Sequence, residues 1–308
     1  MLFASCGGSL KSFPRKIVIG ARGSKLSLVQ AHSIAHLLEK SGAETEIIKI
    51  KTLGDTLDVA LTELGGKGVF VKEIEEALLR GDIDLAVHSM KDMPAELPVG
   101  LTIVAIPPRQ DPRDVLISTV ATSLAKLPKG ARVGTSSPRR RTQLLHLRPD
   151  LDVQPMRGNV ETRLKKMQAG QIDAIILAAA GLNRLGISRV ITELIPTTKM
   201  IPAIGQGALC IEARANDQEL NDFVVKSAHH RATAIAIAAE RAVLKAVGGD
   251  CHTPVAAYAE IKPTGLVIHG YLANEEGTKH VTDKTSGPLD EAEEIGTRLA
   301  EKLLKKLS

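Results

Sequence analysis

The tightest constraint on the fold lies near the start of the chain. RKIVIG (15–20) is an apolar run of strand length stopped by glycine. LSLVQAHSIAHLLEKSG (26–42) repeats its apolar residues at helical spacing and ends on Gly42, and TEIIKIKT (45–52) is a second strand. Two strands separated by a helix cannot close as a hairpin, so they lie parallel in one sheet. Ligands of such sheets gather beyond the carboxyl ends of the strands, which makes the turn carrying Arg22 and Ser24 a candidate site.

The alternation continues. A helix is predicted over 71–81. IDLAVHS (83–89) is a buried strand that ends on Ser89 and runs into Lys91, Asp92 and Pro94. In LTIVAIPPRQDPRDVLIS (101–118) two strands flank a proline-rich crossing, after which a second strand-and-helix series starts. RVGT, LDVQPMRG and DAIILA are its strands, with PRRRTQLLHL and NVETRLKKMQAGQ as helices. MIPAIGQGALCIEAR (200–214) is predicted to return the chain to the first domain. Helical patterning then runs to Gly248, and three strands and a long helix (290–307) form a small α+β tail. At 308 residues two or three domains are expected. With 2% aromatic residues and no Trp, the cores must be built from Leu, Ile, Val and Ala, which suits α/β architecture.

One connection, 53–70, is long for a compact domain and has the character of a lid or a disordered segment. Its GGKG lacks the GxxxxGK[ST] spacing of a phosphate loop and a strand directly before it, which leaves Lys67 as a mobile cation over a site. The cysteines, Cys6, Cys210 and Cys251, are odd in number and widely spaced, so they describe neither a disulfide framework nor a zinc site, and a reducing compartment is expected. Cys210 lies in an apolar run and is read as a core thiol. Cys251 lies in the polar turn GGDCHTP, where nucleophile, redox sensor, covalent attachment point and simple exposed thiol all remain open. His229 and His230 are adjacent and cannot share a helix face, so no metal pair is expected. Residues 1–14 are read as a disordered extension with room for a degenerate targeting leader.

VGTSSPRRR (133–141) joins a strand end, the hydroxyls of Thr135, Ser136 and Ser137, a helix-opening Pro138 and three arginines. A helix N-terminus attracts anions, and Arg139 and Arg140 can grip a carboxylate or phosphate through paired donors. Taken alone, the segment fits a solvated helix face or a nucleic-acid contact equally well. Arg157, Arg163 and Arg184 follow later strands, however, so cations recur at three successive strand exits of one sheet, which favours an anion-binding cleft. The net charge of +5, from 40 basic and 35 acidic residues, is too small for a general polyanion binder, and the few aromatic rings argue against single-stranded nucleic acid. Lys91 and Asp92, at a strand's carboxyl end, are suited to act in that cleft; the competing reading is a surface ion pair.

GGKGVFVKE, DLAVHSMKDMP, DPRDVLIS, VGTSSPRRR, RGNVETRL, DAIILAAAGLNRLG, PAIGQGAL and GGDCHTPVAAYAE, in this order, resemble the porphobilinogen deaminase (hydroxymethylbilane synthase) family of heme and chlorophyll biosynthesis. The resemblance implies an α/β fold of two type II periplasmic-binding-protein-like domains with mainly parallel sheets, plus a smaller α+β C-terminal domain. Domain 1 would span 15–107 and 206–227 with a mobile loop at 53–68, domain 2 would span 112–202, and domain 3 would span 230–308. It implies a transferase that joins four porphobilinogen molecules head to tail, releasing ammonia, on a dipyrromethane primer bound by a thioether to Cys251. The catalytic carboxylate falls on Asp92. Cofactor and substrate carboxylates fall to Arg22, Ser24, Gln30, Ser89, Lys91, Thr135, Ser136, Ser137, Arg139, Arg140, Arg157, Gly158, Arg163 and Arg184, with Lys67 and Phe70 in the mobile-loop region. A cytoplasmic monomer without metal, nucleic-acid or membrane partners is the expectation. The alternative from another class is a non-catalytic, two-lobed anion-binding protein.

Overall fold

The computed structural model describes residues 13–52, 71–248 and 253–308. Strand β1 (Ile17–Arg22) is almost wholly buried, and helix α1 (Lys25–Lys40) starts where the Ser24 hydroxyl accepts the Ser27 N–H at 3.3 Å. Strand β2 (Thr45–Ile50) lies parallel to β1, as the strand–helix–strand pattern requires. Helix α2 (Lys72–Arg80) stops at Gly81 in the left-handed conformation, and β3 (Leu85–Ser89) joins β1 in parallel on its other side. Strand β4 (Leu101–Ala105) ends this part of the chain.

The chain then crosses over. Strand β5 (Asp114–Ser118) opens a second sheet with β6 (Arg132–Gly134), β7 (Asp152–Gln154), β8 (Ala174–Ala178) and β9 (Glu193–Leu194). Helices α3 (Pro138–Leu147), α4 (Val160–Gln168) and α5 (Ala179–Arg184) lie between them. Strand β10 (Leu209–Arg214) returns to the first sheet, inserted between β3 and β4. The orders β2-β1-β3-β10-β4 and β7-β6-β8-β5-β9 follow one plan. In each sheet four strands point one way and the fourth in order, β10 or β5, points back.

The reversed strand refines the expectation of mainly parallel sheets, and it has a direct cause. Both crossings leave from the carboxyl edge of one sheet and enter at the corresponding edge of the other. Asp114, the first residue of β5, therefore pairs with Ala178, the last of β8, and Leu209, the first of β10, pairs with Ser89, the last of β3. The two crossings thus join the very edges where ligands of such sheets collect, so the cleft between the sheets follows from the topology.

The helical pattern predicted up to Gly248 divides at His229 into α6 (Gln218–Ala228) and α7 (Arg231–Val247). The two helices serve different cores: Leu220 and Val224 of α6 pack with α1 and β1, whereas Ala239 and Val243 of α7 pack on a third sheet. His229 Nδ1 accepts the Ile106 N–H, and His230 Nδ1 caps α7 by accepting the Thr233 N–H. The third sheet is an antiparallel meander of β11 (Val255–Lys262), β12 (Gly265–Ala273) and β13 (His280–Gly287), and it is covered by α7 and α8 (Ala292–Leu307). Cys210 is fully buried and its thiol pKa is pushed up by that burial, as expected of a core thiol. No helix among the described residues is long and apolar enough to cross a membrane.

The second crossing depends on two glycines. Gly205 has φ +73°, and a Cβ there would stand 2.5 Å from Met90 Cγ; Gly207 has φ +90°, and its Cβ would meet the Gln110 carbonyl oxygen at 2.4 Å. At Gly207 the obstacle is backbone and cannot swing aside. Gly207→Ala is therefore expected to lower unfolding stability by about 1–3 kcal/mol or more through backbone strain alone. Urea unfolding measures it, and an unchanged midpoint would contradict this account of the crossing.

Candidate active site

The carboxyl edge of the first sheet gathers one set of the predicted residues. Arg22 ends β1, Ser24 caps α1, and Ser89 ends β3. Gln30, on the buried face of α1, donates from Nε2 to Ser89 Oγ at 2.9 Å and ties the two elements together. Asp92 closes a 3-10 turn, Met90–Asp92, directly after β3. Arg22, Ser24, Gln30, Ser89 and Asp92 line one pocket. Lys91, beside Asp92, is open to the cleft, yet the walls crowd it. That loss of water lowers its ammonium to about 8, with Arg140 and Arg139 pushing the same way against Asp92 and Asp114.

The facing edge, on the second sheet, is built around Asp114. Its carboxylate is fully buried and accepts Arg139 Nη1 at 2.7 Å, Arg140 Nε at 2.9 Å and Gln206 Nε2 at 3.1 Å. Arg139 Nη2 also reaches Asp114 and Arg140 Nη2 reaches Gln206 Oε1, while Arg139 Nη1 donates to the Ile201 carbonyl and Arg140 Nη1 to the Ile176 carbonyl. Many of the paired donors expected to grip a ligand carboxylate or phosphate are thus occupied by an internal carboxylate. Asp114 is held well below the usual carboxylate range by the two guanidiniums, which outweigh its burial.

The hydroxyls of 135–137 shape the loop between β6 and α3. Ser136 Oγ donates to the Met156 carbonyl and accepts the Met156 N–H, and Ser137 Oγ caps α3 by accepting the Arg140 N–H. Thr135 is buried, with Oγ1 accepting the Ser137 N–H. Arg157 and Gly158 are exposed after β7. Arg163 Nε donates to the Gly158 carbonyl, and its guanidinium is lowered to about 10 by burial and then by Arg140. Arg184 Nη2 donates to the Gly207 carbonyl and is likewise lowered to about 10 by burial. Lys67, Phe70 and Cys251 lie outside the described residues.

Arg140 thus acts electrostatically on Lys91 and on Arg163, and Arg139 acts on Lys91, with Asp92 and Asp114 as the opposing carboxylates. Four cations against two anions leave a surplus of positive charge at the cleft; burial is the first cause of the lowered Lys91 and Arg163, and Arg140 adds to both. An anionic ligand would relieve this repulsion. The donor set, rich in guanidinium, ammonium and hydroxyl groups, fits a ligand carrying several carboxylates, as a dipyrromethane does.

Comparison with known proteins decides the family. Residues 17–222 match the family model "Porphobilinogen deaminase, dipyromethane cofactor binding domain", and residues 234–305 match "Porphobilinogen deaminase, C-terminal domain". The chain belongs to the porphobilinogen deaminase family. A porphobilinogen deaminase of Geobacter sulfurreducens is 50% identical over 292 residues, covering 94% of this chain and 91% of that protein. One of Geotalea uraniireducens is 51% identical over 290 residues, covering 93% and 91%. Among solved structures, the periplasmic aliphatic sulphonate binding protein SsuA of Escherichia coli aligns with 76% of this chain and 70% of its own, at 17% identity and a TM-score of 0.43.

This member of the porphobilinogen deaminase family carries polar groups at the cleft that its sequence patterns did not announce. Asp114 opens an apolar strand, and Gln206 stands between two glycines; neither has a motif pointing to a buried junction. A third group lies between α2 and the first sheet: His88 Nε2 is 3.1 Å from Glu212 Oε2, with Glu75 buried nearby. Burial raises the Glu75 carboxyl to about 7, Glu212 adds to the rise, and His88 opposes it. Folded protein therefore keeps a proton on Glu75 that the unfolded chain releases above its ordinary 4.5. The resulting stabilisation is present below 4.5 and is lost as pH rises through about 7. Urea unfolding of wild type and Glu75→Gln should show the difference wild type minus variant falling between these pH values. A flat or rising difference would contradict the assignment.

Proposed function

We propose that the chain is a hydroxymethylbilane synthase, a cytoplasmic transferase that condenses four porphobilinogen molecules head to tail and releases one ammonia for each. The observation that carries this reading is the surplus of cations around Lys91, Arg139, Arg140 and Arg163, set beside a carboxylate at a strand end. Every pyrrole unit of substrate and product bears an acetate and a propionate, so a growing chain is a string of carboxylates.

In this reading a dipyrromethane bound to Cys251 supplies the free pyrrole carbon on which extension begins. Arg22, Ser24, Lys91, Arg157, Arg163 and Arg184 bind acetate and propionate groups, with Gln30 and Ser89 holding the floor of the first lobe. Arg139 and Arg140 contribute mainly through charge, since Asp114 takes many of their donors. Thr135, Ser136, Ser137 and Gly158 shape the second lobe's loops, and Lys67 and Phe70 belong to a segment that shields the reacting centre from water. Asp92 is the reacting carboxylate. As ammonia leaves the substrate, positive charge spreads over the pyrrole ring, and a fixed carboxylate near the ring nitrogen stabilises it. The working unit is a monomer without nucleic-acid or membrane partners.

Purified protein should consume porphobilinogen with one ammonia released per molecule. Asp92→Asn, close in size but uncharged, should keep the wild-type unfolding midpoint and lose about a hundredfold to a thousandfold in kcat. Near-normal turnover in Asp92→Asn would remove Asp92 from the chemistry.

A further inference from the structure

Among the described residues nothing hydrogen-bonds or ion-pairs with the Asp92 carboxylate, so its place in the cleft is set by its backbone. That backbone is thinly supported from within. The turn has no side-chain cap, and its local bonds are Met93 N–H to the Met90 carbonyl at 3.2 Å and Met90 N–H to the Ala208 carbonyl at 3.0 Å. Met90 and Met93 anchor it by packing with Ile106, Ala208 and Cys210 of the first lobe and Ile237 of α7, and the polar support beyond Asp92 comes from the third domain. Arg241 on α7 donates from Nη2 to the carbonyls of Pro94, at 2.8 Å, and Ala95, at 3.0 Å, and its Nη1 lies 3.9 Å from Met90 Sδ. One guanidinium thus grips the turn on both sides of Lys91 and Asp92.

The helix that carries Arg241 is itself fixed. Glu240, the residue before it, is fully buried; it accepts Arg109 Nη1 from the first crossing at 2.5 Å, the Gly205 N–H from the second at 2.7 Å, and the Ala259 N–H from β11 at 2.9 Å. Gly205 in turn passes directly beneath Met90. The turn is therefore held between α7 and the second crossing. Arg241 has no carboxylate partner among the described residues, and burial lowers its guanidinium. A partly desolvated cation satisfied only by carbonyls is costly for stability alone. Its planar fork can span two successive carbonyls, which a lysine ammonium cannot do with the same geometry.

We propose that Arg241 is a positioning residue for the reaction: by bridging the Pro94 and Ala95 carbonyls to α7, it holds the Lys91–Asp92 turn at the distance from substrate that turnover requires. This rests on the reading of Asp92 as the reacting carboxylate.

The test uses cofactor-loaded protein and the variants Arg241→Met, Arg241→Lys and Asp92→Asn, with kcat and backbone amide exchange measured on each. Arg241→Met keeps volume and loses the donors. It should lower kcat about tenfold to a hundredfold, the scale expected of a misplaced catalytic group, and speed exchange in residues 90–96 while the rest of the chain is unchanged. Arg241→Lys keeps the charge without the fork, should fall between wild type and Arg241→Met, and serves as the test variant if Arg241→Met does not fold. A kcat within about twofold of wild type in the folded variant overturns the proposal. So does faster exchange spread over all three domains, the mark of a merely structural role. An inactive Asp92→Asn beside an unimpaired Arg241→Met rejects the Arg241 assignment alone. An active Asp92→Asn rejects the reading of Asp92, and the Arg241 assignment with it.

Discussion

Much of this structure depends on one buried carboxylate holding two arginines. Asp114 is the first residue of the second sheet's reversed strand, so it stands at the carboxyl edge where the cleft opens. Through Arg139 and Arg140 it fixes α3, and through Gln206 it fixes the returning crossing. Removing such a carboxylate leaves two buried cations uncompensated, and breaking pairs of this kind costs about 3–5 kcal/mol. The pairing is also incomplete by design of the charges: one anion cannot balance two guanidiniums. The remaining positive charge adds to the burial that lowers Lys91 and Arg163, and it turns a structural junction into one wall of an anion-binding cleft.

The third domain is braced against both lobes. Glu240 joins the two crossings to β11, and Arg241 supports the turn that bears Asp92. On the other side, His146 of α3 lies 3.9 Å, ring to ring, from His280 of β13, and a Cβ on Gly277 would touch Thr142 of α3. The helix α7, whose end leads in sequence toward Cys251, is thus tied to the turn that bears Asp92 and to both crossings at once. A primer tethered at Cys251, as proposed, would need such a frame, since its anchor would have to stay in register with Asp92 through repeated additions.

Much of the fold was legible in the sequence because apolar runs and helical spacing repeat without ambiguity from RKIVIG onward. Pro138 and Gly81 marked helix ends, and the strand exits that carry Arg22, Ser89 and Asp92 meet at one pocket. Three things were not legible. The reversed strands β5 and β10 look like their parallel neighbours in composition, because direction is set by where a crossing enters a sheet. The partners of Arg139 and Arg140 were equally hidden, since a buried aspartate 25 residues away leaves no local signature. Arg241 and Glu240 sit in an ordinary helical pattern, and only the packing of a third domain gives them their roles.

An enzyme primed by a covalent polycarboxylate on Cys251, as proposed for this cation-rich cleft, carries the mass of that group through purification. Intact-protein mass, followed by mapping of the peptide that contains Cys251, tests it most directly on protein made in cells that supply porphobilinogen. The account predicts a mass above that of the sequence by two linked pyrrole units, confined to that peptide and absent in Cys251→Ser. Fully active protein with the mass of the bare chain would contradict it.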